Sequence, residues 1–391
     1  MIPAREILEL RTEWSLDVGV IEKDYVLGWL LAGIANHPQL TQTWIFKGGT
    51  CLRKCYYETY RFSEDLDFTV VDGTETPDEL TPIFREIGEW MQEASGIDLV
   101  VEDTSFRPRK NRRGNPTTQG RIAYRGPNQP PQLPKVKVDI TSDEVLVEQA
   151  VLRAIGHQYS DAPLPGDGVI CYSLIELFGE KLRALCERCR PRDLYDVVHM
   201  HRHPDLVGSA PAVAAVLAQK CAHAGIDVPT ADTIRESPYR QEIEREWVNM
   251  LGHQLPKPLP PFADFWATLD EIFAWLAGEV TLMVPQRVER PDLDPAWVAP
   301  RAITSWRRGF PFELIRYAGV NRLKVDIDYR AADGRWGSRR VEPYSLRRTK
   351  DDNLLLFVVN DRGQLRAYRV DRIAGVRPTD ETFRPRYLVE F

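Results

Sequence analysis

Two aspartates carry the clearest chemical signal in the chain. In Arg61-Phe62-Ser63-Glu64-Asp65-Leu66-Asp67-Phe68 they stand one residue apart at the start of an apolar run. Residues 66–71 predict a strand, ended by Asp72-Gly73. Successive strand side chains alternate faces, so Asp65 and Asp67 point the same way. Two like charges side by side repel unless something positive sits between them. Mg²⁺, or Mn²⁺ in its place, meets that need, because it takes oxygen ligands and keeps positions open for substrate phosphates. Upstream, Phe46-Lys47-Gly48-Gly49-Thr50 supplies a glycine pair that lets the backbone come close to a ligand. A helix starting there would aim its N–H groups at an anion. Thr50 and Ser63 add hydroxyl donors. A third carboxylate, Asp139, lies on the alternating run Lys-Val-Lys-Val-Asp-Ile-Thr at 135–141, a half-buried strand. The competing reading is a surface strand with two solvated aspartates behind an ordinary glycine turn. Gly-Gly, Ser-x-Asp-x-Asp and a later strand aspartate together favour a metal and nucleotide site.

A second group lies in the helical pattern at 173–203. Lys181 can reach phosphates as a point charge. Arg192 and Asp193 follow Pro191, and Asp196 is one turn beyond. The alternative is helix–helix salt bridging, with Asp193 or Asp196 pairing Arg192. Residues 107–113 carry Arg107, Arg109, Lys110, Arg112 and Arg113. This segment reads as the start of a loop over 107–118 between strands, and its arginines are candidate RNA-backbone contacts. Otherwise it is a solvated hairpin tip. Cys186-x-x-Cys189 and Cys51-x-x-x-Cys55, near His199, His201 and His203, do not have the spacing of a closed zinc site.

The elements that must position these groups follow from periodicity. Residues 4–36 predict a helix, 77–95 another, 97–106 and 121–125 strands, and 204–283 further helices. Four prolines between 285 and 300 mark a linker. Four β segments follow at roughly ten-residue spacing, which predicts a small barrel or strongly bent sheet. The domain expectation is therefore 1–150, 151–284, a linker at 285–302, and 303–391. With 391 residues, 43% hydrophobic and 28% charged, the chain is globular by composition. It lacks a transmembrane-length apolar run, and its six cysteines are too few for a secreted disulfide framework. The cytoplasm is the expected compartment. The net charge of −6 hides an asymmetry, because residues 301–391 hold 20 basic and 12 acidic residues. Such a tail attracts polyanions.

The combination of Gly-Gly-Thr with Arg-x-Ser-x-Asp-x-Asp resembles the AbiEii/AbiGii toxin family of polymerase β-like nucleotidyltransferases. Glu22-Lys23-Asp24-Tyr25 and Glu176-Leu-Phe-Gly-Glu-Lys-Leu-Arg-Ala-Leu, followed by Arg190-Pro191-Arg192-Asp193, also match that family. The likeness covers about 15–280. It implies an α+β fold, a polymerase β-like core with a helical C-terminal half. It further implies NTP-dependent transfer of nucleotides to an RNA acceptor such as the tRNA 3′ end. The chain would be the toxic half of an abortive-infection or toxin–antitoxin pair, with a cognate antitoxin as partner. The family's metal carboxylates fall on Asp65 and Asp67, with Asp139 as third. Its lysine falls on Lys181, and its Arg-Asp pair on Arg192 and Asp193. Lys47, Gly48, Gly49, Thr50 and Ser63 complete the expected nucleotide site. Residues 310–391 resemble the WYL domain, an SH3-like β-barrel linked to nucleic-acid or nucleotide sensing, although Leu354-Leu355-Leu356 stands where its naming tripeptide would be. Arg366, Arg369 and Arg372 are its candidate nucleic-acid contacts. Two other functions fit the sequence: a nucleic-acid-binding defence regulator with the transferase core as scaffold, and nucleotide transfer to a protein partner.

Overall fold

The structure, a computed structural model, describes residues 1–111, 113–299 and 310–391. Arg112 and the last part of the expected linker, 300–302, lie outside the described residues. The chain opens with α1 (Ala4–Trp14), α2 (Val18–Asn36), β1 (Trp44–Lys47), α3 (Gly48–Cys51), a π-helical turn (Leu52–Tyr56), β2 (Asp65–Val70) and α4 (Pro77–Ser95). Next come β3 (Asp98–Leu99), β4 (Ser105–Lys110), β5 (Pro116–Arg125), β6 (Lys135–Thr141), β7 (Val151–Arg153) and β8 (Val169–Cys171). A helical half follows, with α5 (Leu174–Arg188), α6 (Pro191–His201), α7 (Ala210–Ala224), α8 (Ala231–Arg235), α9 (Arg240–Leu251) and α10 (Phe262–Leu276). The chain ends with α11 (Phe312–Val320), β9 (Leu323–Arg330), β10 (Trp336–Arg348), β11 (Leu354–Asn360), β12 (Leu365–Arg369) and β13 (Ile373–Thr382). The fold is α+β.

The first eight strands form one mixed sheet, ordered β3-β5-β6-β2-β1-β8-β7, with β4 also paired to β5. Leu66 and Phe68 of β2 and Val136, Val138 and Ile140 of β6 face a sealed side. There Phe68 meets Trp44 at 5.0 Å and Phe46 at 5.3 Å between ring centroids. Each such burial stabilises the sheet by about 1.5–3 kcal/mol. α2 is apolar nearly all round and buried on most sides, as a central core helix must be.

Several expectations are corrected. The helix over 4–36 is two helices, because Ser15 turns left-handed (φ 51°) and Asp17 caps α2 by accepting from the Gly19 N–H at 2.8 Å. The strand over 97–106 is broken by a 3₁₀ turn at Val101–Asp103. The basic loop over 107–118 is instead a hairpin of β4 and β5. Asn111 makes its turn, its Oδ1 accepting from the N–H groups of Arg113 and Asn115, both at 3.0 Å. The sheet does not stop at 150, since β8 joins it beside β1 with Phe46 opposite Cys171.

The second sheet is antiparallel and five-stranded, ordered β12-β11-β10-β9-β13. The proline-rich stretch from 285 to 299 is laid along it rather than hanging free. Val288 is buried against Leu355 and Phe357, and the Asp294 N–H donates to the Arg348 carbonyl at 2.9 Å. The N-terminal body and this sheet share one hydrophobic core. α11 makes the joint: Tyr317 donates to the Pro258 carbonyl at 2.7 Å, and Tyr195 donates to Asn321 Oδ1 at 3.1 Å.

Candidate active site

The sheet register brings the acidic residues together. In the parallel pair β2/β6, Asp67 stands opposite Asp139, and Asp65 opposite Lys137. Residues opposed across a ladder, or two apart along a strand, share a face. Lys47 of β1 lies opposite Asp67, and Gln119 of β5 opposite Asp139, to whose Oδ1 it donates at 3.0 Å. Arg107 of β4 lies opposite Gln119. One lateral row thus runs Lys47, Asp67, Asp139, Gln119, Arg107, with Asp65, Lys137 and Arg121 one step along.

The charges in this row are strained against one another. Burial pushes the Asp67 carboxyl up to about 6, reinforced by Asp139 and Asp65 and opposed by Lys47 and Lys181. Asp65 is raised too, by burial and by Asp139 and Glu64, against Lys137 and Arg192. Lys137 is the cation between the carboxylates, hydrogen-bonded to Asp139 and 3.9 Å from Asp65. The sequence reading overlooked it, although the alternation that exposes Asp139 puts Lys137 on the same face.

The glycine pair is required by close contacts. Gly48 has φ +82°, and a Cβ there would sit 2.3 Å from Asp67 Oδ2. A Cβ on Gly49 would meet an Arg61 guanidinium nitrogen at 2.5 Å and Ser63 Oγ at 3.2 Å. Arg61 and α2 hold this loop in place. Asp24, in the expected Glu-Lys-Asp-Tyr stretch, accepts from Arg53 Nε at 2.7 Å, Lys54 Nζ at 2.9 Å and Tyr159 Oη at 2.9 Å. Burial works against its charge, but the two cations hold Asp24 far below the usual carboxylate range. That pins the π-helical turn behind Gly48 and Gly49 to α2.

Two residues expected to bind nucleotide are otherwise engaged. The Thr50 hydroxyl donates to the Asp65 carbonyl at 2.5 Å and braces β2. Lys47 Nζ is buried, 3.2 Å from Glu144 and 3.9 Å from Glu180, so its charge reaches Asp67 while its ammonium is paired with these glutamates.

The second group is rearranged. Lys181 Nζ lies 2.7 Å from Asp196 and 3.8 Å from Asp193. Asp196 also accepts from Arg61 at 2.6 and 2.7 Å and from Tyr60 at 2.6 Å. Despite burial these cations keep Asp196 well below the usual range. Asp193 does not pair Arg192, because adjacent helix positions diverge. Both its oxygens are taken by Arg188 at 2.7 Å, so Asp193 is buried and holds Arg188 in place. Arg188 is exposed, and Asp193 first, then Asp67 and Glu180, favour its charge; sequence spacing gave no hint of it. Arg192 has no ion pair among the described residues and sits beside Glu64 and Asp65.

On the hairpin, Arg107 and Arg109 are exposed on the carboxylate face. Arg113 is not available in that way: it bonds Asp143 Oδ2 at 2.6 Å and His223 Nε2 at 3.0 Å. In the second sheet Arg369 is spent on Asp371 at 2.7 Å, Arg366 reaches its neighbour's Leu365 carbonyl at 3.0 Å, and Arg372 stands in a separate 3₁₀ turn. The thiols of Cys51, Cys55 and Cys171 lie within 4.8 Å of one another, so β8 adds a third thiol to the Cys51/Cys55 pair that spacing along the sequence does not reveal.

No helix among the described residues is long and apolar enough to cross a membrane. The family model for the nucleotidyl transferase AbiEii toxin of type IV toxin–antitoxin systems matches residues 29–274, and the WYL domain model matches 312–378. Among solved structures, the nucleotidyltransferase toxin MenT4 of Mycobacterium tuberculosis H37Rv is similar at 22% identity over 70% of this chain and 88% of that one, with a TM-score of 0.40. Proteasome accessory factor B/C of Arthrobacter aurescens is similar at 16% identity over 46% of this chain and 22% of that one, with a TM-score of 0.18. No curated protein matches the chain. With well over half its length matched, the chain belongs to the AbiEii family of nucleotidyltransferase toxins of toxin–antitoxin systems, and a WYL domain follows its transferase body.

Proposed function

We propose that the chain transfers a nucleotide from an NTP to an RNA acceptor, the tRNA 3′ end, with Mg²⁺ (or Mn²⁺) held by Asp65, Asp67 and Asp139. The observation that carries this reading is the three carboxylates on one sheet face, with Asp67 raised to about 6 by burial and by its acidic neighbours. An all-oxygen donor set that repels itself fits a hard divalent cation. Lys137, drawn in between Asp139 and Asp65, marks the demand for positive charge there. When bound, the metal would neutralise the triphosphate and favour departure of pyrophosphate.

The protein groups have separate tasks. The backbone at Gly48 and Gly49 approaches Asp67 closely enough to cradle a phosphate beside it. Ser63 Oγ adds a hydroxyl at the same loop. Arg188, held by Asp193, and the unpaired Arg192 bring positive charge to the phosphates. Lys181 acts through Asp196, keeping α6 and the Arg61 anchor in place. Asp139 accepts the proton of the attacking hydroxyl. Catalysis rests on positioning and charge neutralisation, with no covalent enzyme intermediate.

Arg107, Arg109 and Arg121 line the carboxylate face as exposed cations, which favours a nucleic-acid acceptor over a protein one. In a toxin–antitoxin pair this activity would arrest growth in the cytoplasm, in abortive infection or phage defence, until a cognate antitoxin intervenes. Incubation with each labelled NTP, Mg²⁺ and total tRNA tests the reading. Label on RNA from at least one NTP is expected, and label only on protein would replace RNA as acceptor.

A further inference from the structure

Away from the carboxylates, a cavity of about 700 Å³ lies between the transferase body and the WYL domain. His201 and Arg202 reach it from the end of α6, Asp264, Phe265 and Glu271 from α10, and Arg322 from the α11–β9 junction. Phe383, Arg384 and Pro385 close it from the far end of β13. Two of its arginines are unusual. The Nη1 atoms of Arg202 and Arg322 are buried with no hydrogen-bond partner, and neither guanidinium has an ion pair among the described residues. His201 Nε2 is buried and unpartnered as well.

Such groups are costly to leave unspent, since a buried cation needs a counter-charge and its N–H groups need acceptors. Both arginines follow helix C-termini, whose dipoles favour cations. That accounts for positive charge at these places but leaves the donors unused. Burial lowers Arg322 to about 9, with Arg202 adding repulsion, and burial lowers Arg202 to about 10. Arg202 therefore adds to the cost of charging Arg322, a cost that an anion between them would remove. Asp264 and Glu271 also line the cavity and favour the Arg202 charge from a distance, but among the described residues neither forms an ion pair with either arginine.

We infer that this cavity binds a phosphate-bearing small molecule, a nucleoside phosphate, with its phosphate between Arg202 and Arg322. Its volume falls within the range of small-ligand sites and exceeds what a bare phosphate fills. Phe383 and the prolines 260, 261 and 385 offer an apolar wall for a base. Asp264 and Glu271 can accept from ribose hydroxyls or base amino groups, and Arg384 stands exposed at the mouth. The site is distinct from the proposed transfer site, but α6 touches both. Its first turn carries Asp193, which holds Arg188, and its last turn ends at His201, about 12 Å away.

The test uses the full chain in EDTA, where metal-dependent binding at Asp65, Asp67 and Asp139 is suppressed. Inorganic phosphate, AMP and a five-nucleotide RNA lacking a terminal phosphate are compared by calorimetry and thermal melting. AMP is expected to bind once per chain and raise Tm. Arg202→Gln and Arg322→Gln should each weaken it at least tenfold, while Asp67→Asn should leave it unchanged. Without ligand, Arg322→Gln should melt no lower than the parent, because it removes an unpaired buried charge. Equal affinity for inorganic phosphate would assign the site to free phosphate, and tighter AMP binding to a nucleoside phosphate. As a check needing no variant, AMP should slow amide exchange at 199–202 and 321–323. The inference is overturned if neither phosphate nor AMP binds, if only RNA binds, or if binding survives both arginine substitutions without change in exchange.

Discussion

Gly48→Ala perturbs the carboxylate face without touching a charge. The added methyl would lie 2.3 Å from Asp67 Oδ2 and 3.0 Å from its Cγ, so the carboxylate must give way by the better part of an ångström. A displacement on the order of 1 Å at reacting groups costs about 100-fold in rate, or about 2.7 kcal/mol of transition-state stabilisation. Alanine at φ +82° adds a folding cost of about 1–2 kcal/mol, because a side chain disfavours left-handed backbone. Gly114→Ala separates the two effects. It has φ +86° with nothing within 4 Å of the added Cβ, so it carries the backbone cost alone. The assay is kcat for transfer of labelled NTP to RNA, alongside urea denaturation of both variants. Gly48→Ala should lose about 100-fold in kcat and Gly114→Ala almost nothing, with similar stability losses from backbone strain. Equal turnover in the two variants would mean that the Gly48–Asp67 contact does not position the site.

Other outcomes follow from the same geometry. Folded Asp67 keeps a proton that the unfolded chain releases near pH 4, so the metal-free protein should lose stability as pH rises from about 4 to about 6; Asp67→Asn should flatten that part of a Tm-against-pH curve. Added Mg²⁺ should raise Tm less below pH 6 than above it, because Asp67 must deprotonate to bind; a pH-independent gain would remove Asp67 from the metal site. Arg107→Ala with Arg109→Ala should lower the slope of log affinity for RNA against log salt by about two, whereas Arg113→Ala should leave the slope and lower stability, since its guanidinium already joins Asp143 and His223. Arg61→Ala should cost about 3–5 kcal/mol in denaturant unfolding, because it breaks a buried bidentate pair with Asp196; a loss under about 1 kcal/mol would show that Lys181 and Tyr60 suffice.

Local rules made part of this site legible. Strand alternation puts Asp65 and Asp67 on one face, and the Gly-Gly pair points to close backbone approach. The two segments nearest the chemistry are read from periods of two and from turn residues, which act within a few positions. Partner choice across long stretches of chain is not written that way. Asp139 stands opposite Asp67 only because β2 and β6 pair in parallel across 72 residues of chain. Arg61 finds Asp196 at a separation of 135 residues, and Asp193 takes Arg188 in place of its neighbour Arg192. Lys47 and Thr50 look like ligand-facing groups in sequence because both flank the glycines, yet burial turns one toward Glu144 and the other onto the Asp65 carbonyl. The basic segment at 107–118 reads as a loop for a simpler reason: Lys, Pro, Asn and Gly are poor strand formers on average, but Phe106 packs on Phe84 at 4.8 Å and cross-strand pairing with β5 overrides propensity. The proline-rich stretch at 285–299 likewise gains order from tertiary contacts that composition does not record.

Metal-dependent transfer by the three aspartates is tested most directly by one side-by-side reaction. Wild-type chain and Asp67→Asn are each incubated with the four labelled NTPs and total tRNA, with Mg²⁺ or with EDTA, and the label is located after separating RNA from protein. The predicted result is label on the RNA 3′ end in the wild-type Mg²⁺ reaction alone, with the folded Asp67→Asn chain and the EDTA reaction both blank. Transfer by Asp67→Asn at the wild-type rate, or undiminished transfer in EDTA, would contradict the assignment of these carboxylates as the metal site.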